Sequence, residues 1–96
     1  MSLDEIKKIL RQHKSALASK YHVSSIGVFG SYVHNEQVSD SDVDILVDFS
    51  SPISLFEFIE MEEEISLLLN TKVDLVSRNA LKPFIGKHIL NEVQFV

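Results

Sequence analysis

Residues 30–44 hold the groups in this chain whose types and spacing suit chemistry. A Gly-Ser pair, Gly30-Ser31, closes an apolar run, Ser25–Phe29, and ten intervening residues lead to Asp42 and Asp44 at the head of a second run, Val43–Phe49. Both runs read as strands. Side chains two apart in a strand point to one face, with Cα atoms roughly 6.5 Å apart. Two acids projecting together from an otherwise apolar strand repel one another unless a cation sits between them. A hard divalent ion, Mg²⁺ or Mn²⁺, prefers such oxygen ligands. A glycine that lets a ligand approach the backbone, followed by a serine donor, suits the phosphates such an ion carries. Acids also crowd turns for solubility, and Ser39-Asp40-Ser41-Asp42 reads equally as a solvated loop. A calcium loop is excluded: with Asp40, Asp42 and Asp44 at positions 1, 3 and 5, the required glycine and glutamate fall on Ile45 and Ser51.

A third acid extends the pattern. Lys72–Ser77 reads as a short strand, Lys-Val-Asp-Leu-Val-Ser, in which Asp74 is the only acid. An aspartate in so apolar a strand calls for a partner. If this strand pairs beside Val43–Phe49, Asp74 faces Asp42 and Asp44, and the three can hold one or two metal ions while leaving an oxygen to accept a proton. The alternative for Asp74 is a charge that keeps an edge strand from aggregating.

Composition bounds the function. Ninety-six residues with 45% apolar and 24% charged residues suit one α/β domain spanning 1–96, a small mixed sheet flanked by helices. No apolar run approaches the roughly 18 residues of a membrane span, and the amino terminus is charged where a signal peptide needs its apolar core. The absence of cysteine excludes disulfides and thiolate metal sites and accords with a cytoplasmic location. A net charge of −5 argues against general nucleic-acid binding. It does not argue against a nucleotide, whose phosphates a divalent ion neutralises locally.

The elements that must position the acids follow from capping and periodicity. Ser2 and Glu5 form a capping-box pattern that opens a helix to about Tyr21, with Leu3, Ile6, Leu10, Leu17 and Tyr21 along one face. Ser54 and Glu57 repeat the pattern and open a helix to about Leu69, whose expected core stripe is Leu55, Phe58, Ile59, Ile65, Leu68 and Leu69. Asn70 suits a left-handed stop. A last helix over about Ala80–Glu92 is interrupted by Pro83, and Val93–Val96 is expected to add an edge strand. His13, His22, His34 and His88 lack the spacing of a helical metal site and read as surface residues. Lys7, Arg11 and Lys14 form a basic stripe on the first helix, read as a solvated face, with an acidic partner as the alternative. Arg78 and Lys82 follow the third strand closely enough to reach a nucleotide.

The series Gly30-Ser31, Asp42-Val43-Asp44 and a later Val-Asp-Leu-Val strand resembles the DNA polymerase β-like nucleotidyltransferase superfamily, and the size resembles its minimal nucleotidyltransferase group. The resemblance runs from about Ser25 to Ser77 and weakens through Leu81-Lys82-Pro83. It implies that Gly30 and Ser31 bind phosphate, that Asp42 and Asp44 bind metal, and that Asp74 helps hold the metal and takes the acceptor's proton. The implied reaction moves AMP from ATP to a hydroxyl with loss of pyrophosphate. The implied partner is a helical HEPN-type toxin whose tyrosine receives the AMP, this chain being the antitoxin. Many relatives carry Arg-Gly where this chain has His34-Asn35, a departure that leaves room for a catalytically weak antitoxin acting by contact. A nucleotide sensor without turnover is a third reading. Homo- and hetero-oligomers are both compatible with the sequence.

Overall fold

The computed structural model describes Met1–Val96. Its elements run α1 (Leu3–Tyr21), β1 (Val23–Phe29), β2 (Val43–Phe49), α2 (Leu55–Leu69), β3 (Val73–Ser77), α3 (Pro83–Glu92) and β4 (Gln94–Phe95), with 3₁₀ turns at Gly30–Tyr32 and Arg78–Ala80. The sheet order is β3-β2-β1-β4. β1 is antiparallel to β2 and to β4, whereas β2 and β3 are parallel and α2 supplies the crossover that parallel neighbours require.

Alternation along β2 divides the sheet into two faces. Val43, Ile45 and Val47 join Ile26, Val28, Val73 and Leu75 beneath α1 and α2, where Ile6, Leu10, Leu17, Tyr21, Met61, Ile65 and Leu69 complete the main core. Leu46 points the other way, with Phe29, and is covered by Ile89 of α3; Val76, Leu81, Leu90 and Val93 pack around them. Asp44 and Asp74 share the parity of Leu46 and Val76, so both acids lie on the α3 side.

Local signals explain where the helices begin and end. The Ser2 side chain accepts from the Glu5 N–H, and α1 ends at His22 in the left-handed region (φ 60°). Ser54 and Glu57 form the full reciprocal capping box, and Asn70 ends α2 at φ 52°. Pro83 starts α3 instead of interrupting a longer helix. It takes the first helical turn, where its missing N–H costs nothing, and Arg78–Ala80 forms a separate turn before it. The edge strand expected over Val93–Val96 forms, shortened to Gln94–Phe95. Gly27 makes room for it, since a Cβ there would lie 2.8 Å from Val93 Cγ2 and 2.9 Å from the Gln94 carbonyl oxygen. Two lysines of the expected solvated stripe turn out to hold this strand: Lys7 Nζ donates to Gln94 Oε1 at 3.0 Å, and Lys14 Nζ to the Val96 carbonyl at 2.7 Å.

The stripe expected on α2 is corrected. Ile65 and Leu69 are buried, and Phe58 packs at the core margin, but Leu55 is 71% and Ile59 45% exposed, while Met61 is fully buried. Ile59 lies about 200° around the helix from Met61, away from the sheet. Leu55, in the first turn, borders a cavity with Phe49 beyond the strand ends. None of the helices is long and apolar enough to cross a membrane.

Met61→Ala is therefore expected to cost about 2–5 kcal/mol of stability, whereas Ile59→Ala should stay within about 0.5 kcal/mol. Urea denaturation of the two variants decides between the observed stripe and the one expected from periodicity.

Candidate active site

Parallel pairing sets the site. Asp44 and Asp74 are register partners on β2 and β3, next to the pair Val43 and Val73, and the Val43 N–H donates to the Lys72 carbonyl at 2.9 Å. On the other side of β2, Asp44 is the register partner of Phe29, the last residue of β1, so Gly30 turns away beside it. Gly30 has φ +81°, and a Cβ on it would fall 2.1 Å from Asp44 Oδ2. The glycine thus meets two demands together: a left-handed backbone and space for the Asp44 carboxylate. The turn is closed by the Val33 and His34 N–H groups, which both reach the Gly30 carbonyl, at 3.0 and 3.3 Å. Ser31 is partly buried within it.

The electrostatics concentrate on Asp44. Its pKa rises from the ordinary 3.8 to about 6, first because burial disfavours the carboxylate, then through the like charges of Asp74, Asp42 and Glu92. Asp44 forms no ion pair with a lysine or arginine. Asp42, by contrast, lies 3.8 Å from the exposed Lys72 ammonium. The acids are thus gathered at one end of the α3-side face without forming a finished cage: no three Asp, Glu or His side chains are close enough to hold an ion among them. Donor type and charge still fit a divalent cation. The donors are hard oxygens, and the most buried of them is repelled by three neighbouring carboxylates. Asp42, Asp44 and Asp74 would hold such an ion, with Asp42 turned away from Lys72.

Asp74 is exposed and β3 is an edge strand, so a protective edge charge remains a role open to it. Part of that edge is already covered by α2, because Glu62 Oε2 accepts from the Leu75 N–H at 2.8 Å. Arg78 does not join the acids. It reaches Asp48 at 3.7 Å, four residues along β2 from Asp44 and so roughly 13 Å away at the far end of the strand.

Glu92 is the group that sequence reading missed. It closes α3, adds its charge to those around Asp44, and its carboxylate meets His34 Nε2. Nothing local signals this, because the contact joins residues 58 apart in sequence. Asn35, in the same turn, has φ 56°. Asparagine tolerates that conformation, so the turn keeps a backbone that glycine would also adopt.

Known proteins match this chain along its length. A family model described as a nucleotidyltransferase domain matches residues 4–96. The protein adenylyltransferase MntA of Thermococcus cleftensis is 51% identical over 96 residues, covering all of this chain and 97% of that protein. A solved structure assigned provisionally as a minimal nucleotidyltransferase superposes with a TM-score of 0.82 at 29% identity, covering 98% of this chain and 95% of that one. A chain from the complex of tri-AMPylated Shewanella oneidensis HEPN toxin with MNT antitoxin shares the fold, with a TM-score of 0.62 at 21% identity over 96% of this chain and 66% of that one. With the family model spanning nearly every residue, and a relative identical at half of its positions, this chain belongs to the nucleotidyltransferase domain family and has the fold of its minimal members.

Proposed function

We propose that this nucleotidyltransferase moves AMP from ATP to a hydroxyl, a tyrosine of a HEPN-type partner, and thereby acts as the antitoxin of a toxin–antitoxin pair. A single domain spanning residues 1–96, working in the cytoplasm, suffices for this role. The observation that carries the reading is the register pairing of Asp44 with Asp74 beside the Gly30 turn. The name of the Thermococcus relative and the AMP-modified toxin in the Shewanella complex support the choice of AMP and of a protein acceptor.

In this reading the Gly30-Ser31 turn receives the triphosphate, with the Ser31 hydroxyl as a donor. Asp42 and Asp44 hold Mg²⁺ or Mn²⁺, which when bound neutralises the phosphate charge. The tyrosine oxygen attacks the α-phosphorus, its bond forms as the bond to the β-phosphate oxygen breaks, and pyrophosphate leaves. Asp74, the most accessible of the three acids, takes the phenolic proton. Positioning and charge neutralisation carry most of such a transfer, which suits so small a protein. A second reading, a catalytically weak antitoxin acting by contact, is favoured by one observation: His34, where the family resemblance implies an arginine, is engaged by Glu92.

Asp44 makes the metal testable through pH. Its folded pKa, about 6, lies above the ordinary 3.8, so the stability it contributes is complete below about pH 4 and is lost as pH rises through about 6. Without metal, the wild-type melting temperature should fall over that interval, and Asp44→Asn should flatten the slope. At pH 7, millimolar Mg²⁺ should raise the wild-type melting temperature and leave Asp44→Asn unmoved. An equal Mg²⁺ response in the two proteins would remove Asp44 from the metal site, and identical metal-free pH profiles would remove its raised pKa.

Asp74→Asn keeps shape and a ligand oxygen but removes basicity. It should still bind Mg-ATP yet transfer labelled AMP to the partner at least about a hundredfold more slowly, within the usual range for a lost general base. Transfer at the wild-type rate would leave Asp74 as an edge-strand charge.

A further inference from the structure

α3 presents two unlike faces. Gly86 and Ile89 are buried against the sheet, with Leu90 beside them, while Phe84, Lys87, His88 and Asn91 recur at helical spacing on the outside and line a shallow groove of about 230 Å³. Phe84 is 88% and Ile85 53% exposed. An aromatic ring this exposed has nothing to do within the chain, and paired with a neighbouring apolar residue it suits an interface anchor.

This face is basic, as is α1, but the bases of α1, Lys7, Lys8, Arg11, Lys14 and Lys20, lie on the side of the sheet opposite Asp44. The stretch from Arg78 to Asn91 holds Arg78, Lys82 and Lys87 and no Asp or Glu, in a chain whose net charge is −5. Arg78 reaches Asp48, but Lys82 and Lys87 form no ion pair. α3 also leads to the acids: its ten residues span about 15 Å and end at Glu92, whose charge acts on Asp44. Anything lying along α3 arrives at the catalytic end of the sheet.

We propose that the outer face of α3, centred on Phe84, Lys82, Lys87 and His88, docks the acceptor protein through an apolar and acidic surface of that partner, bringing its hydroxyl to Asp74. The inference rests on the proposed transfer to a protein acceptor and adds the surface that recognises it. The competing apolar patch, Leu55, Phe56 and Ile59 on α2, lies on the other side of the sheet and is rimmed by Glu60 and Glu63. Neither its location nor its charge suits an acidic partner that must reach Asp74.

The test uses the full chain and the HEPN-type protein of the same genome. Partner affinity, Mg-ATP affinity and AMP transfer are measured for wild type, Lys82→Glu/Lys87→Glu, Phe84→Ser and Phe56→Ser. The first two variants should lose at least about tenfold in partner affinity. The charge-reversal loss should shrink as salt rises, because exposed charges are screened. Phe84→Ser should bind Mg-ATP like wild type, and Phe56→Ser should behave as wild type throughout. Melting curves verify that all of them fold. If both α3 variants bind the partner normally, or only Phe56→Ser weakens it, the docking face is wrong. A wild-type self-association abolished by Phe84→Ser with partner affinity intact would also overturn it, as would RNA binding lost in the charge variant with partner affinity intact. A complex that forms through α3 without AMP transfer would support the surface and overturn the enzymatic reading. Transfer unaffected by the α3 variants would do the reverse.

Discussion

Asp44 and Asp74 face each other from adjacent parallel strands, and two carboxylates on neighbouring strands repel. Burial first, and then the like charge of Asp74, disfavour the Asp44 carboxylate. The sheet cannot relieve this by slipping. A one-residue slip would turn either Val43, Ile45 and Val47 of β2 or Val73 and Leu75 of β3 out of the main core and onto the α3 side. Each buried aliphatic side chain is worth about 1.5–3 kcal/mol, so hydrophobic burial holds the acids in register against their charge. The core beneath α1 and α2 is in this sense what loads the site.

Gly30 extends the same constraint to the turn after β1. Its backbone is left-handed, and the space where a Cβ would stand is taken by the Asp44 carboxylate. Turn and acid are therefore packed as one unit, and a side chain at position 30 would disturb both. A glycine here is required by the folded site itself, independently of what the turn binds. Ser31, which carries no such backbone demand, is the cleaner probe of phosphate contact.

α3 joins recognition to chemistry. Its inner face closes the second, smaller core over Phe29 and Leu46, and its last residue, Glu92, adds charge at Asp44 and contacts His34. Its outer face is basic and apolar, on the side of the sheet that carries Asp44. One short helix thereby covers the sheet, closes the acid cluster on one side and offers a surface next to it.

The strands that carry the acids were legible in the sequence because alternation and spacing are local. β2 begins and ends where the apolar run does, and Asp44 and Asp74 fall on one face by parity alone. The capping boxes and the Asn70 stop were equally local, since each depends on residues within one turn. The α2 stripe was misread in part because a helix with apolar residues on several sides does not say which of them meets the sheet; only packing selects Met61 over Ile59. Pro83 was read as breaking a helix over about Ala80–Glu92, whereas it starts one, because its missing N–H and fixed φ suit the first turn. Glu92 at Asp44, Lys7 and Lys14 on β4, and Arg78 withdrawn to Asp48 belong to tertiary structure entirely. They depend on which end of a strand a distant side chain reaches, and that follows from strand order and helix direction, not from the residues themselves.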